Sequence, residues 1–284
     1  MFILEMFGCI IVMYVKLFFV MKLIKLKPIT NGTRHQLNLQ KNLLSKTNKL
    51  IKQSIKGLKS YAGRSASTGR ITVWHKGSGC KHNFREIEFY TKTSNAIVLF
   101  IMYDPFRNAF ISLNFDFERK AFFRTLATFS VYPGALISCA NATKYLNLGN
   151  KLTLDNIPFG AIIHSLSLAT KTKATYALSA GTFCQIIQKQ LNNCKVRLPS
   201  GIIITLPTKS FATLGVVSNS QYNSTYIGKA GKNRLKGIRP SVRGIAMNPV
   251  DHPHGGRTNG GRPSVTPWGI PTKGQPTVSK KIYI

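Results

Sequence analysis

Between Asn95 and Phe129 the chain is apolar and aromatic in short bursts. "NAIVLFIMYD" (Asn95–Asp104), "NAFISLNF" (Asn108–Phe115) and "KAFFRTLATF" (Lys120–Phe129) are separated by "PFR" and "DFER". Bursts of this length, rich in β-branched and aromatic residues and bounded by polar or Pro-containing breaks, predict strand–turn–strand. Two earlier bursts, "RITVWH" (Arg70–His75) and "FREIEFY" (Phe84–Tyr90), extend the series across "KGSGCKHN" and "TKTS". A second series follows in "AIIHSLSL" (Ala161–Leu168), "FCQIIQK" (Phe183–Lys189), "CKVRLP" (Cys194–Pro199) and "GIIITLP" (Gly201–Pro207), broken by "SAGT" and "LPSG". Two consecutive runs of short strands predict two small barrels, over residues 70–142 and 143–215, rather than one large sandwich. No βαβ alternation is present, which argues against a nucleotide-binding α/β fold.

The flanks follow different patterns. Residues 1–21, "MFILEMFGCIIVMYVKLFFVM", are apolar except for Glu5, Gly8 and Lys16. Three readings compete for this extension: a membrane anchor, a cleaved targeting segment, or a hydrophobic extension packed on a neighbouring protein. Lys16 in mid-segment weakens a spanning helix, and the Arg-rich amphipathic character of a transit peptide is absent. The packed extension is therefore preferred. Residues 22–69 read as an arm with no clear helix or strand period. Residues 216–284 are rich in Gly and Pro, and could not bury a core alone.

Charge changes the picture of both arms. The 284 residues hold 40 Lys+Arg against 8 Asp+Glu, a formal net charge of +32. Residues 6–85 and 156–250 contain no carboxylate at all. Self-repulsion at this charge works against compactness, and a polyanion, most commonly nucleic acid, is the compensating partner. The basic arms are thus expected to order on RNA. So few carboxylates leave little for general acid–base work or metal ligation. Lys outnumbers Arg, and Ile, Asn, Phe and Tyr are plentiful, a bias that fits translation of an AT-rich organellar genome.

The candidate chemistry lies in "AMNPVDHPHGGRTNGGRP" (Ala246–Pro263). Asp251, His252 and His254 resemble an H-x-H metal pair with a carboxylate. A competent site needs further ligands and outer acceptors, and the sequence supplies no other acid from residue 156 to the end. No G-x-S-x-G elbow is present for a hydrolytic triad. The stretch reads instead as an irregular loop whose glycines permit close backbone approach. Arg239, Arg243, Arg257 and Arg262 supply guanidinium forks for phosphates, and the imidazoles can reach phosphate, ribose or base. The five cysteines, Cys9, Cys80, Cys139, Cys184 and Cys194, show no C-x-x-C spacing and read as reduced structural thiols.

"GIRPSVRGIAMNPVDHPHGG" followed by "VTPWGIPTKG" closely resembles the tail signature of the universal large-subunit ribosomal protein two family. "KPITNGTRH" (Lys27–His35), "GRITVWHKGSGCKHNFREIEF" (Gly69–Phe89), "YDPFRNAFISL" (Tyr103–Leu113), "LSAGTFCQI" (Leu178–Ile186), "ATLGVVSN" (Ala212–Asn219) and "GKAG" (Gly228–Gly231) extend the resemblance over about residues 22–276. It implies an all-β fold, an OB-like barrel followed by an SH3-like barrel, with long irregular basic N- and C-terminal arms threading large-subunit rRNA. It further implies a place on the subunit-interface side with the tail near the peptidyl transferase region. Carried over residue by residue, it implies rRNA contacts for Arg34, His35, Arg64, Arg70, His75, Lys81, Arg85, Arg107, Arg239, Arg243 and His252. Lys229, Lys232, Arg234, His254, Arg257, Arg262 and Lys273 of the C-terminal arm join that expected set. Leu178 stands where the family usually has Arg, and Cys80 where it commonly has His.

The expectation is a structural rRNA-binding protein of an organellar large ribosomal subunit, mitochondrial with plastid as the alternative. Its expected partners are large-subunit rRNA, neighbouring ribosomal proteins and the small subunit at the intersubunit face. Residues 1–21 add a contact with a protein or the organelle membrane. No cofactor, metal or catalytic residue is expected. The enzymatic rival would make His252 a proton-transfer group in peptide bond formation, since His is the right chemical type near pH 7.

Overall fold

The computed structural model describes residues 23–40, 44–45, 56–58, 62–89, 95–138, 146–169, 173–257 and 262–274. Residues 1–21, Cys139 and the last ten residues lie outside the described residues, and with them the expectations for the apolar extension. The fold is mostly β-sheet, with two short α-helices among the described residues. Contacts divide the chain into two compact units: one of residues 1–59 and 82–229, the other of residues 60–81 and 230–282.

In the first unit, β1 (Leu23–Lys25) pairs with β2 (Leu37–Leu39), and β3 (Lys56–Leu58) with β4 (His82–Phe84). A four-stranded antiparallel sheet follows from β5 (Asn95–Met102), β6 (Ile111–Asp116), β7 (Ala121–Leu126) and β8 (Leu136–Ser138), in the order β7–β6–β5–β8. The remaining strands are β9 (Lys151–Thr153), β10 (Ile162–His164), β11 (Leu166–Ser167), β12 (Ala174–Tyr176), β13 (Cys184–Lys189), β14 (Asn193–Arg197), β15 (Ile203–Pro207) and β16 (Phe211–Leu214). Six of them form one sheet, β15–β14–β13–β10–β16–β9, while β11 pairs with β12.

Most of the expected strands appear where the apolar bursts lie. In β14 and β15 side chains alternate exposed and buried, because successive residues of a strand face opposite sides. Cys194 is opposite Leu206 and Val196 opposite Ile204, so the inward pairs pack directly. Around them Leu152, Leu154, Ile157, Ile163, Leu166, Cys184, Ile186, Ala212 and Leu214 complete one core. Burial pushes the Cys184 thiol up to about 12 and raises Cys194 as well, which keeps both protonated and inert.

The strand expected over Arg70–His75 does not form. This segment is a loop with two isolated bridges, Arg64 to Ile71 and Lys76 to Ile238, and it belongs to the second unit. Its apolar Ile71, Val73 and Trp74 are all exposed, so the burst has no core to face. Among the described residues of "FREIEFY", only Phe84 lies in a strand.

The two sheets meet inside the first unit. Thr128 bridges Val217, and Ala109, Leu126 and Val217 pack with Leu178 and Ala180. The Phe110 amide donates to Ser218 Oγ at 3.0 Å and the Ser138 amide to Asn150 Oδ1 at 3.0 Å. His164 is the polar centre of the junction. It is 1% exposed, with Nε2 2.8 Å from Thr128 Oγ1 and Nδ1 2.9 Å from Ser165 Oγ. Both hydroxyls can donate or accept, so the pair satisfies a neutral ring.

Desolvation lowers the His164 pKa from 6.5 to about 3. An unfolded chain therefore takes up a proton here below pH 6.5 while the folded chain stays neutral until about pH 3. The stability is present above pH 6.5 and is lost as pH falls toward the folded value. Denaturant unfolding of the chain should show about 2 kcal/mol less stability at pH 5 than at pH 7 from this group. A midpoint unchanged between those two pH values would contradict a buried neutral imidazole.

Candidate nucleic-acid interface

Among the described residues the second unit shows no hydrophobic core: none of their apolar side chains is buried. Backbone contacts hold it. The Gly77 amide donates to Gly237 O at 2.7 Å, Cys80 N to Leu235 O at 2.9 Å, and Arg239 N to His75 O at 2.9 Å. The backbones approach so closely that a Cβ on Gly79 would lie 2.7 Å from Gly237 N, and Gly79 itself has φ +61°. Only glycine fits both conditions. His75 takes a left-handed φ of 57°, and its Nδ1 lies 3.3 Å from Pro240 O. The loop 62–81, which joins the end of the expected N-terminal arm to the start of the expected first barrel, is stitched to the C-terminal arm: it rests on the short helix Ala230–Leu235 and the residues just after it.

The tail stretch folds on itself in the same way. The Asp251 and His252 amides donate to Asn248 O, and Gly255 N to His252 O at 2.8 Å. A Cβ at Gly255 would lie 2.3 Å from Asn248 O, and one at Gly244 2.7 Å from the His252 ring. His252 is 7% exposed, and its Nδ1 accepts from the His254 amide at 3.0 Å, which leaves the proton of a neutral ring on Nε2. The His252 and His254 ring centroids are 4.7 Å apart. His254 Nε2 donates to Pro263 O at 2.7 Å, and Arg262 Nη1 donates to Pro253 O. The close approach expected of these glycines is made within the protein, and both imidazoles fasten the loop. Among the described residues no group of three His, Cys, Asp or Glu could hold a metal.

The expected contact residues divide by unit. Arg34 and His35 end the helix Asn31–Arg34 of the first unit and are exposed, and the Lys229 side chain lies against Gly32 of the same helix. Arg85 is buried and Arg107 a quarter exposed; both turn to Asp104, Arg85 Nη1 at 3.6 Å and Arg107 Nε at 2.7 Å. Their charges are thus engaged inside the protein. The i,i+3 spacing of Asp104 and Arg107 was the signal for this pairing. In the second unit, Arg64, Arg70, His75, Lys81, Arg234, Arg239, Arg243, Arg257, Arg262 and Lys273 are exposed, and Lys232 is partly so. Arg64 donates to Gly69 O at 3.0 Å.

The sequence reading passed over Lys76, Lys236 and Trp74. Lys76 and Lys236 are exposed cations of the same unit, and Trp74 is an exposed ring that lines one groove with Lys76. Within residues 60–81 there are four Lys+Arg, and within 230–274 eight, against Asp251 alone. Arg64, Trp74, His75, Lys76, Arg234 and Arg239 line a groove of about 570 Å³ with no carboxylate in it.

A β-rich body joined to a coreless, acid-poor loop unit defines a polyanion-binding protein. The family model for the RNA-binding N-terminal domain of ribosomal proteins L2 matches residues 51–139, and that for their C-terminal domain matches residues 147–269. The chain is 44% identical to the large ribosomal subunit protein uL2m of Reclinomonas americana over 265 residues, covering 91% of this chain and 94% of that one. It is 41% identical over 257 residues to the large ribosomal subunit protein uL2 of Wolbachia pipientis subsp. Culex pipiens (strain wPip), covering 89% and 93%. The chain belongs to the ribosomal protein L2 family. Its all-β fold, with an OB-like barrel followed by an SH3-like barrel, agrees with that membership.

The tail geometry predicts the effect of one methyl group. Gly255→Ala should cost the loop roughly 1–3 kcal/mol, because a backbone carbonyl has to move. Amide exchange should quicken across residues 244–256, while exchange of the β13–β15 amides stays unchanged. Unaltered protection in the loop would refute the close approach.

Proposed function

We propose that the chain is a structural constituent of the large ribosomal subunit. It binds large-subunit rRNA and supports subunit assembly, subunit association and the peptidyl transferase region. The observation that carries this reading is the second unit, whose described residues include twelve exposed or partly exposed cations, one carboxylate and no buried apolar side chain, inside a chain of the L2 family. Phosphates supply the neutralisation that the protein lacks. The exposed set, from Arg34, His35 and Lys229 through Arg64, Arg70, His75 and Lys81 to Arg239, Arg243, Arg257, Arg262 and Lys273, makes the contacts. Arg85 and Arg107 act by shaping the β-body around Asp104.

The relative from Reclinomonas americana is a mitochondrial ribosomal protein, which supports the mitochondrial ribosome as the location. Neighbouring ribosomal proteins and the small subunit are the further partners. The protein does no chemistry itself. His252 is buried, with one nitrogen occupied by its own loop, which suits a positioning group better than a proton carrier.

Tagged protein should sediment with large-subunit rRNA after organelle fractionation. Its RNA affinity should fall log–log with salt, each neutralised phosphate contributing a slope of roughly −0.7 to −0.9. Arg239→Ala should reduce the total slope by about one such contribution. A flat affinity from low to moderate salt would sink this reading.

His252→Gln keeps an acceptor and a donor but does not titrate near neutrality. Ribosomes carrying it should assemble and form peptide bonds with an unchanged pH–rate profile in single-turnover transfer. A loss of roughly 10²–10⁴-fold in fully assembled particles would instead mark general acid–base catalysis.

A further inference from the structure

The chain has two tryptophans, and they are partners. Trp74 comes from the loop 62–81 and Trp268 from the turn of a small hairpin in the same unit. In that hairpin Thr266 N donates to Ile270 O at 2.8 Å and Thr272 N to Ser264 O at 2.9 Å. The ring centroids are 6.1 Å apart with the planes at 65°. An edge-to-face pair uses at most one face of one ring, and the rings remain 58% and 69% exposed. So much bare aromatic surface is costly in water unless a partner covers it.

The surroundings select the partner. Trp74 lines the groove that also holds Arg64, Lys76, Arg234 and Arg239, and no carboxylate lines it. A planar apolar guest with negative charge on either side satisfies both features. A nucleobase with its flanking phosphates has that form, and only an unpaired base offers its face, because A-form duplexes keep their bases stacked. The platform is also held in advance: the left-handed turn at His75 is fixed from both sides by Arg239 and Pro240.

We propose that Trp74 and Trp268 form a stacking platform for an unpaired nucleotide of RNA, with Arg64 and Arg239 holding the adjacent phosphates. This rests on the rRNA-binding reading and adds a base contact to it. Phosphate contacts alone would not distinguish single-stranded from abasic chains; stacking does.

Because both tryptophans lie in this one place, the emission of the full-length chain reports on it without labels. A 12-nucleotide unstructured RNA should quench that emission and shield it from acrylamide. An abasic chain of equal length should bind with the same salt slope, more weakly and without quenching. Trp74→Ala should weaken binding of the 12-mer by roughly five- to a hundredfold at unchanged salt slope, and Trp74→Phe should restore most of it. Salt-dependent binding with emission and acrylamide access unchanged overturns the platform and leaves the rRNA reading intact; the exposed rings would then serve a protein neighbour. No RNA binding at any salt overturns both.

Discussion

Scarcity of negative charge governs this molecule. With eight acids against forty cations, the chain cannot neutralise itself, so where the acids sit decides which parts fold alone. Asp104 and Asp116 are each 1% exposed and lie at the ends of the four-stranded sheet. Asp104 gathers Arg85 and Arg107, while Asp116 accepts from the Glu118 amide and faces Arg119. Truncating Asp104 would leave the buried Arg85 charge uncompensated, a far larger cost than losing a surface pair. The β-body thus buries two of its acids, Asp104 and Asp116, while Asp251 is the one carboxylate among the described residues of the loop unit.

That division explains how the loop unit is built. With no buried apolar side chain and a single carboxylate among its described residues, it depends on neutral devices: backbone bonds from Gly77 to Gly237 and from Cys80 to Leu235, an imidazole laid on Gly244, another tied to Pro263, and two tryptophans edge to face. Neutral hydrogen bonds contribute only about 0.5–1.5 kcal/mol each. A unit with so little buried apolar area belongs to the low-stability end of a structure. With one carboxylate among its described residues, the unit turns most of its cations to solvent. Weak internal cohesion and a surplus of solvent-facing cations are therefore two consequences of one composition.

The legible part of the fold was the part with side-chain periodicity. β5–β7 and β13–β15 lie under the apolar bursts because burial on one or both faces imposes the pattern. Arg70–His75 shares that composition but has no sheet to join, and neighbouring glycines take it into a loop. The pairing of residues 62–81 with 235–240 left no trace in hydrophobic pattern, since it runs through backbone atoms of residues about 160 positions apart. Glycine spacing was its only signal, and glycines read equally well as room for RNA. The interface was legible as charge and as a family signature. The inward turn of Arg85 and the burial of His252 required coordinates, because one carboxylate in "YDPFR" and one glycine at 244 decide them.

Leu178 shows how the two halves of the design trade against each other. It occupies a position where the family usually carries Arg, and in this chain it packs with Ala109, Leu126 and Val217 at the junction of the two sheets. An arginine there would offer a phosphate fork; the partly buried leucine instead adds apolar contact between the barrels, worth on the order of 1 kcal/mol. The same junction holds His164 neutral and Lys151 donating to Phe89 O. A chain repelled by its own charge gains from every apolar contact that fixes one barrel on the other.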